Sequence, residues 1–297
     1  MTAFADKAEG TNRTRGRLAP TPSGYLHLGN GVNFVLTWLM VRREGGVLKL
    51  RIDDADSART RPEYVEDIFR QLEWLGLDWD EGPEGPDDFH RRHSQLLRLS
   101  RYREMLAALA PSLFACTCSR KEIAARSADG LYPGTCRGRR GRPQAPHALR
   151  VRVEDNTVVG VEGEAVALGR VMGDFVLWRR EDLPAYQLAS LTDDLDDRIN
   201  LIVRGRDLLA STAAQLFLAE RLGGAGFLAC RFHHHPLLTG PAGRKLSKSD
   251  QALSLAAMRD AGASPLAVYR EAARFLGLDP AMIVSLTDLL AGCRAAA

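Results

Sequence analysis

The sequence predicts an α/β fold, a Rossmann-like parallel sheet with a small inserted module and a short helical C-terminal tail. Three observations predict it. Residues 15–52 read as strand, helix, strand, the order of a right-handed parallel crossover. A similar pattern returns late in the chain, where the apolar run INLIVRG leads into STAAQLFLAERLG. Between the two, residues 113–170 abandon the alternation.

In chain order, an arginine-bearing leader precedes RGRLA, a short strand, and HLGNGVNFVLTWLMVRREGG, a helix closed by two glycines. VLKLRID is the second strand. The turn residues of RLAPTPSGYLHLGN therefore lie at the carboxyl end of the first strand, where open α/β sheets bind ligands. Thr60 and Glu63 read as a capping box for a helix with Val65, Ile68, Phe69, Leu72 and Leu75 on one face. GLDWDEGPEGPDD is a loop, and residues 96–109 are another amphipathic helix. LFACTC, a stretch rich in Gly and Arg, and LRVRV begin the inserted module. The parallel pattern is expected to resume with DFVLWRR, followed by PAYQLASLTDD, INLIVRG and STAAQLFLAERLG. From FHHHPLLTGPAGRKLSKSD onward come a lysine-bearing loop and about three short helices. These boundaries divide the chain into a first half of the sheet domain at 15–112, the inserted module at 113–170, a second half at 171–240, and the lysine loop with the helical tail at 241–297.

At 297 residues, 45% hydrophobic and 26% charged, the chain has material for one large or two modest domains with a proper core. A net charge of +3 excludes a general basic coat for nucleic acid. Residues 136–142 (CRGRRGR) nevertheless gather arginines into either a polyanion-facing patch or a solvated loop. No apolar stretch reaches the roughly 20 residues of a membrane span, and MTAFADKAEGTNRTRG has no apolar signal core. A cytoplasmic protein with no membrane partner is expected. Three of the five cysteines, Cys116, Cys118 and Cys136, share one window, which favours a metal over disulfides. Cys230 and Cys293 read as small buried apolar residues.

A helix N-terminus presents unpaired N–H groups and about half a positive charge, so a Gly-rich turn delivering His27 and Gly29 there makes a phosphate seat. Taken alone, the stretch reads as well as a capping histidine beside a tight turn. KLSKS at 245–249 offers Lys245 and Lys248 as a clamp for charge developing on a departing pyrophosphate, or simply a solvated basic turn. The pair, at opposite ends of a parallel α/β pattern, is more specific than either motif.

HLGN and KLSKS resemble the two signature motifs of the class I aminoacyl-tRNA synthetases. RLAPTPSGYLHLGN, LRIDDAD, LPAYQLA, VRGRDLL and KLSKS together look like the glutamyl-tRNA synthetase branch, from about residue 15 to 250. Only 48 residues follow KLSKS, where a glutamyl-tRNA synthetase carries a large anticodon-binding portion. The resemblance is therefore to the truncated paralogues, the glutamyl-queuosine tRNA(Asp) synthetases. It implies a class I synthetase catalytic domain that activates glutamate with ATP and Mg2+ without needing tRNA, then esterifies it to the cyclopentene diol of queuosine in a tRNA anticodon stem-loop. A monomer is expected.

The resemblance also implies roles. Arg17, Ala19 and Thr21 hold glutamate, with Arg17 able to fork onto a carboxylate, and Tyr186 and Arg204 are the other amino-acid contacts. His27, Gly29 and Asn30 meet ATP, and Lys248, with Lys245, meets the leaving pyrophosphate. Two departures stand out. HLGN lacks the family's second histidine, and Asp53 replaces the glutamate of LRIED that receives the substrate ammonium, withdrawing the charge by about one methylene.

Cys116 and Cys118, two apart on an apparent strand, share a face, and Ser119 with Glu122 forms a capping box that leads a helix away. Three thiolates plus one further ligand would close a tetrahedral structural Zn2+ site, against the alternative of reduced free cysteines. The resemblance supplies Tyr132 as the fourth ligand, and His147 is the conventional rival. His233, His234 and His235, consecutive on a strand, cannot all face one ion and are read as an approach to the nucleotide loop. Other readings remain: a small-molecule adenylyltransferase, which RxAPTPSG and VRGRD argue against; a ligase loading glutamate or another amino acid onto a different acceptor, which Asp53 keeps open; and a non-catalytic RNA-binding paralogue, against which His27, Lys245 and Lys248 are intact. Arg137, Arg139, Arg140 and Arg142 are expected to hold phosphates of the RNA.

Overall fold

The computed structural model describes residues 13–139, 141, 143–238 and 254–295. Among these, residues 13–95, 199–207, 230–238 and 254–295 form one compact unit, and residues 96–198 and 208–229 form another. The strands, in chain order, are β1 (Arg15–Leu18), β2 (Val47–Leu50), β3 (Leu113–Cys116), β4 (Ala148–Val151), β5 (Val159–Val161), β6 (Glu164–Val166), β7 (Val176–Trp178), β8 (Leu201–Gly205) and β9 (Arg231–His235).

The first unit is built on a wholly parallel sheet in the order β2-β1-β8-β9. Such a sheet must be covered on its faces, which explains why the crossover helix Leu28–Arg43 buries Val32, Phe34, Val35, Leu36, Trp38, Leu39 and Val41 rather than a narrow stripe. Gly16 permits the close crossing, because a Cβ on it would come within 2.5 Å of Val41 Cγ2. The helix ends as expected, with Arg42 and Arg43 in its last turn and Gly45 at φ +61°. Beyond β2, Gly82 adopts φ +116° with its α-carbon so near Leu50 that a Cβ would meet the Leu50 carbonyl oxygen at 2.2 Å.

Helix Pro62–Trp74 turns Val65, Ile68 and Leu72 into the core, with Phe69 partly buried beside them, but its start differs from the expected capping box. Arg61 is the cap residue and Pro62 the first helical residue, so Thr60 stands one position too early and donates instead to the Asp56 carbonyl at 3.3 Å. After the lysine-bearing segment, helices Leu255–Asp260, Leu266–Phe275 and Leu286–Ala295 complete this unit, as the sequence predicts. Gly31 makes room for the first two: Leu255 and Val268 approach within 3.1–3.2 Å of where its Cβ would be. Cys230 and Cys293 are buried, as expected.

The other unit contains an antiparallel sheet, β3-β4-β7, and the hairpin β5-β6, whose turn holds Glu162 and Gly163 at positive φ. This corrects one expectation. DFVLWRR does not resume the parallel pattern: β7 pairs antiparallel with β4, Leu149 opposite Trp178. A three-residue apolar strand carries no directional signal, and a tight turn sends the chain straight back, with Trp178 pairing antiparallel to Pro184 and donating from Nε1 to Asp182 at 2.8 Å. The helix expected at 96–109 runs from Leu99 to Ala108 behind a short 3-10 turn, Gln95–Arg98. Helices Tyr186–Asp196 and Leu209–Leu222 follow, the second closed by Gly223 at φ +67°. Buried Asp193 ties this unit together, accepting from Arg98 Nε at 2.8 Å and from the Tyr102 hydroxyl at 3.0 Å.

At the amino end of the sheet, Arg231 on β9 donates to Glu44, just past the crossover helix, at 2.6 Å, and Thr14 donates to the same carboxylate. The Arg231 hydrogen bond holds the Glu44 carboxyl down at about 2. A lowered carboxyl contributes stability that is present above its unfolded value and lost as pH falls towards its folded one. We therefore expect Glu44→Gln to remove part of the stability lost on acidification from about pH 4.5 to pH 2, read as a shallower pH dependence of the urea midpoint across that window.

Candidate active site

All four parallel strands deliver their carboxyl ends to one edge of the sheet, and eight of the predicted site residues lie there or just beyond it. Arg17 in β1 and Arg204 in the adjacent β8 are almost fully buried, at 4% and 3% exposure. The β1–β2 pairing continues past both strands: Arg51 N donates to Leu18 O at 2.9 Å and Asp53 N to Pro20 O at 2.8 Å. Asp53 is thereby brought alongside the segment carrying Ala19, half-buried, and Thr21, exposed.

His27 caps the crossover helix with its backbone. Its carbonyl accepts from Asn30 N at 2.9 Å and its N–H donates to Asn30 Oδ1 at 3.0 Å, so Asn30 and His27 fix each other across the first turn. A Cβ on Gly29 would stand 3.1 Å from His27 Cε1 and Nδ1, so the glycine makes room for the imidazole beside the helix N-terminus. Lys245 and Lys248 lie outside the described residues, but the residues flanking their segment do not. Leu238 Cδ1 comes within 3.9 Å of the same Gly29 position, Ser254 pairs antiparallel with His27, and Leu255 N donates to Leu26 O at 2.8 Å. Tyr186, in the other unit, is the first residue of its helix and partly exposed. His235 is buried, its Nε2 3.2 Å from Asn33 Oδ1 and its Nδ1 2.8 Å from Pro236 O. Burial pushes its pKa down, so it is a packed core histidine.

Sequence reasoning missed the groups that hold Asp53. Arg51 Nε donates to Asp53 Oδ1 at 2.7 Å within a buried pair. Residues two apart on a strand share a face, so the Arg-x-Asp of LRIDDAD carried that signal. Asp54 beside it accepts from Ser94 Oγ at 2.5 Å and Gln95 N at 2.7 Å, while burial pushes its carboxyl up. Nothing local in the sequence joins residues 53 and 54 to 94 and 95.

In the other unit the thiols of Cys116, Cys118 and Cys136 lie within 4.8 Å of one another, Cys118 Sγ and Cys136 Sγ at 3.6 Å. Cys116 ends β3. The Ser119–Glu122 capping box starts helix Arg120–Ala124 as predicted, and Gly134 at φ +74° turns the chain so that Cys136 returns. The Tyr132 hydroxyl accepts from Cys136 N at 2.6 Å, and Tyr132 packs on the cluster, with the Arg150 guanidinium 4.1 Å from its ring centroid. His147 is not part of the cluster among the described residues. Burial pushes the Cys118 thiol up to about 11, with Cys136 and Cys116 adding to it. Burial also raises Cys136, but the Thr117 amide, the Tyr132 hydroxyl, Cys118 and the Arg139 charge outweigh it and bring that thiol down to about 7. Three thiols and a phenol oxygen are the donor set of a soft, tetrahedral cation, in which two sulfurs at bonds of about 2.3 Å stand roughly 3.8 Å apart. The residues present fit such an ion.

The arginines of CRGRRGR are partly committed to the module itself. Arg137 reaches the Val153 carbonyl at 3.0 Å and Asp174 at 3.4 Å, and Arg139 donates to Thr117 Oγ1 at 3.2 Å. Arg140 and Arg142 lie outside the described residues.

The sequence matches the family described as tRNA synthetases class I (E and Q), catalytic domain, through residues 13–130 and 136–289. It is 38% identical to a glutamyl-Q tRNA(Asp) synthetase from Nitratidesulfovibrio vulgaris, covering 90% of this chain and 87% of that protein. It is 41% identical to one from Symbiobacterium thermophilum, covering 89% and 86%. A glutamate–tRNA ligase from Anaeromyxobacter sp. is 38% identical over 86% of this chain, but the chain spans only 56% of that protein. In fold it is similar to a glutamate-tRNA synthetase from Elizabethkingia anophelis, with a TM-score of 0.73 at 23% identity over 94% of this chain and 65% of that one. No helix among the described residues is long and apolar enough to cross a membrane.

The Arg51–Asp53 pair is open to direct test. Arg51→Ala removes a cation 2.7 Å from a carboxylate that is only 7% exposed, and should destabilise the protein by about 3 kcal/mol in urea unfolding. Adding Asp53→Asn to Arg51→Ala should recover part of that loss.

Proposed function

Because the chain belongs to the class I tRNA synthetase (E and Q) catalytic-domain family and is a ligase of that type, we propose that it activates glutamate with ATP and transfers the glutamyl group to queuosine in the anticodon loop of tRNA(Asp). One observation carries the choice of acceptor. The likeness to the two proteins named glutamyl-Q tRNA(Asp) synthetase runs through nearly nine-tenths of both partners, whereas the named glutamate–tRNA ligase is matched over little more than half its length.

In the first step a carboxylate oxygen of glutamate attacks the α-phosphorus of ATP and the bond to pyrophosphate breaks. No general base is needed, since the nucleophile is already ionised and catalysis consists of positioning and charge stabilisation. Arg17 and Arg204, two buried guanidiniums on neighbouring strands, suit a substrate that carries two carboxylates. Ala19 and Thr21 line the same edge, and Tyr186 is assigned to the amino acid by resemblance alone. Asp53, oriented by Arg51, is the group for the ammonium. The open N-terminus of helix Leu28–Arg43, with His27, Gly29 and Asn30, receives the phosphates, and Mg2+ accompanies ATP to offset their charge. Lys245 and Lys248 take up the charge released on pyrophosphate. In the second step a hydroxyl of the cyclopentene diol attacks the glutamyl carbonyl carbon, the ester forms and AMP leaves. Cys116, Cys118, Cys136 and Tyr132 would hold a structural zinc, which would cross-link the module.

Glutamate-dependent ATP/pyrophosphate exchange should occur without RNA. Lys248→Ala should slow it by roughly 100- to 1000-fold, the scale for removing one preorganised charge-stabilising donor, with unchanged thermal unfolding. A queuosine-containing anticodon stem-loop should then accept labelled glutamate, and tRNA lacking queuosine should not. Charging of a terminal adenosine instead would identify an ordinary glutamate–tRNA ligase, and exchange with another amino acid would move the specificity to Asp53.

Elemental analysis of freshly purified, reduced protein should find about one zinc per chain. A chelator should increase amide exchange across residues 113–150 and leave the parallel sheet protected. Reduced protein without zinc would leave the thiols as ordinary free cysteines.

A further inference from the structure

Two tyrosines at the ligand edge of the parallel sheet have no part in these steps. Tyr25 belongs to the loop leaving β1 and is 54% exposed. Tyr64 lies in the first turn of helix Pro62–Trp74, at the end of the loop leaving β2. Their rings meet edge to face, with centroids 5.2 Å apart and planes at 79°. The Arg61 guanidinium stands 6.0 Å from the Tyr64 centroid on a side chain that is 65% exposed.

The contact braces Tyr25 without covering it, because an edge-to-face pair leaves ring surface open and more than half of Tyr25 remains in solvent. Arg61, beside the Tyr64 ring, lies 3.7 Å from Glu63, so the charge next to the brace is offset. An exposed ring face offers stacking to a flat group such as a base, which a phosphate does not have. Location adds the rest. Tyr25 is two residues before His27, so their α-carbons are at most about 7 Å apart, which sets the ring beside the helix N-terminus assigned above to the phosphates. Single-stranded RNA loops are gripped by splayed bases stacked on aromatic side chains and arginine.

We propose that Tyr25, braced by Tyr64, is a stacking platform for an unpaired base of the RNA acceptor, adjacent to the nucleotide that receives the acyl group. The inference rests on the reading of an RNA-loop acceptor given above. Its test is equilibrium binding of a fluorescent queuosine-containing anticodon stem-loop to the full chain without ATP, with amino-acid-dependent exchange measured in parallel. Tyr25→Ala should weaken binding about 10- to 100-fold, the loss of one base–aromatic stack, with the salt slope unchanged. Tyr25→Phe should restore binding, and exchange should persist in both variants. Unchanged binding by Tyr25→Ala overturns the platform. So does a parallel loss of exchange, which would make the ring a support for the loop. If binding falls as expected but the stem-loop is never acylated, the platform stands and the proposed reaction fails; if the wild-type chain binds no stem-loop, both fall.

Discussion

The position at which β1 ends governs the arrangement of the site. Four residues long, β1 is hydrogen-bonded on both sides, by β2 and by β8, so neither edge can slip without breaking a ladder. Asn200 locks its start, receiving Arg15 N at 2.8 Å on its side chain and donating its own N–H to the Arg15 carbonyl at 3.0 Å. With β1 fixed, Arg17 points into the protein, the pairing carries on to Pro20 and Asp53, and the chain must turn within nine residues to begin a helix at Leu28. The glycines at 16, 29 and 31 each serve that compression by removing a Cβ where another side chain already lies.

Much of this is legible in the sequence because it is encoded locally. The crossover helix, the two strands around it, the Ser119–Glu122 cap and the glycine-terminated helix Leu209–Leu222 all follow from residue type and spacing over fewer than twenty positions. The Cys-x-Cys pair and the return at Cys136 are similarly visible, as is the gathering of Arg17, Asp53, His27 and Arg204 once the strand ends are aligned. The failures have a common cause. The direction of β7 depends on a turn and on a partner strand whose paired residues lie 26 and 29 positions away, and the support of Asp54 by Ser94 and Gln95 depends on tertiary folding. The displaced helix start at Arg61 is a competition lost by Thr60 to Pro62, whose fixed φ suits the first helical position.

Several arginines near the cysteine module are tied to the module itself. Arg137 reaches buried Asp174, Arg150 lies over the Tyr132 ring, Arg152 over Phe114, and Arg180 donates to the Thr117 carbonyl. Small β elements with little apolar area need such substitutes for a core. The guanidinium supplies them, since it can lie flat on a ring and satisfy carbonyls at the same time.

The flanks of the segment between Leu238 and Ser254 meet at one helix N-terminus, the first beside Gly29 and the second paired with His27. Two such anchors make any encounter between the intervening residues and that terminus intramolecular, at an effective concentration of order millimolar or above whatever the concentration of the protein. Closure entropy grows only logarithmically with contour, by about 0.6 kcal/mol for each doubling. Lengthening the chain between the two anchors would therefore cost little, whereas losing either anchor would cost the tether itself.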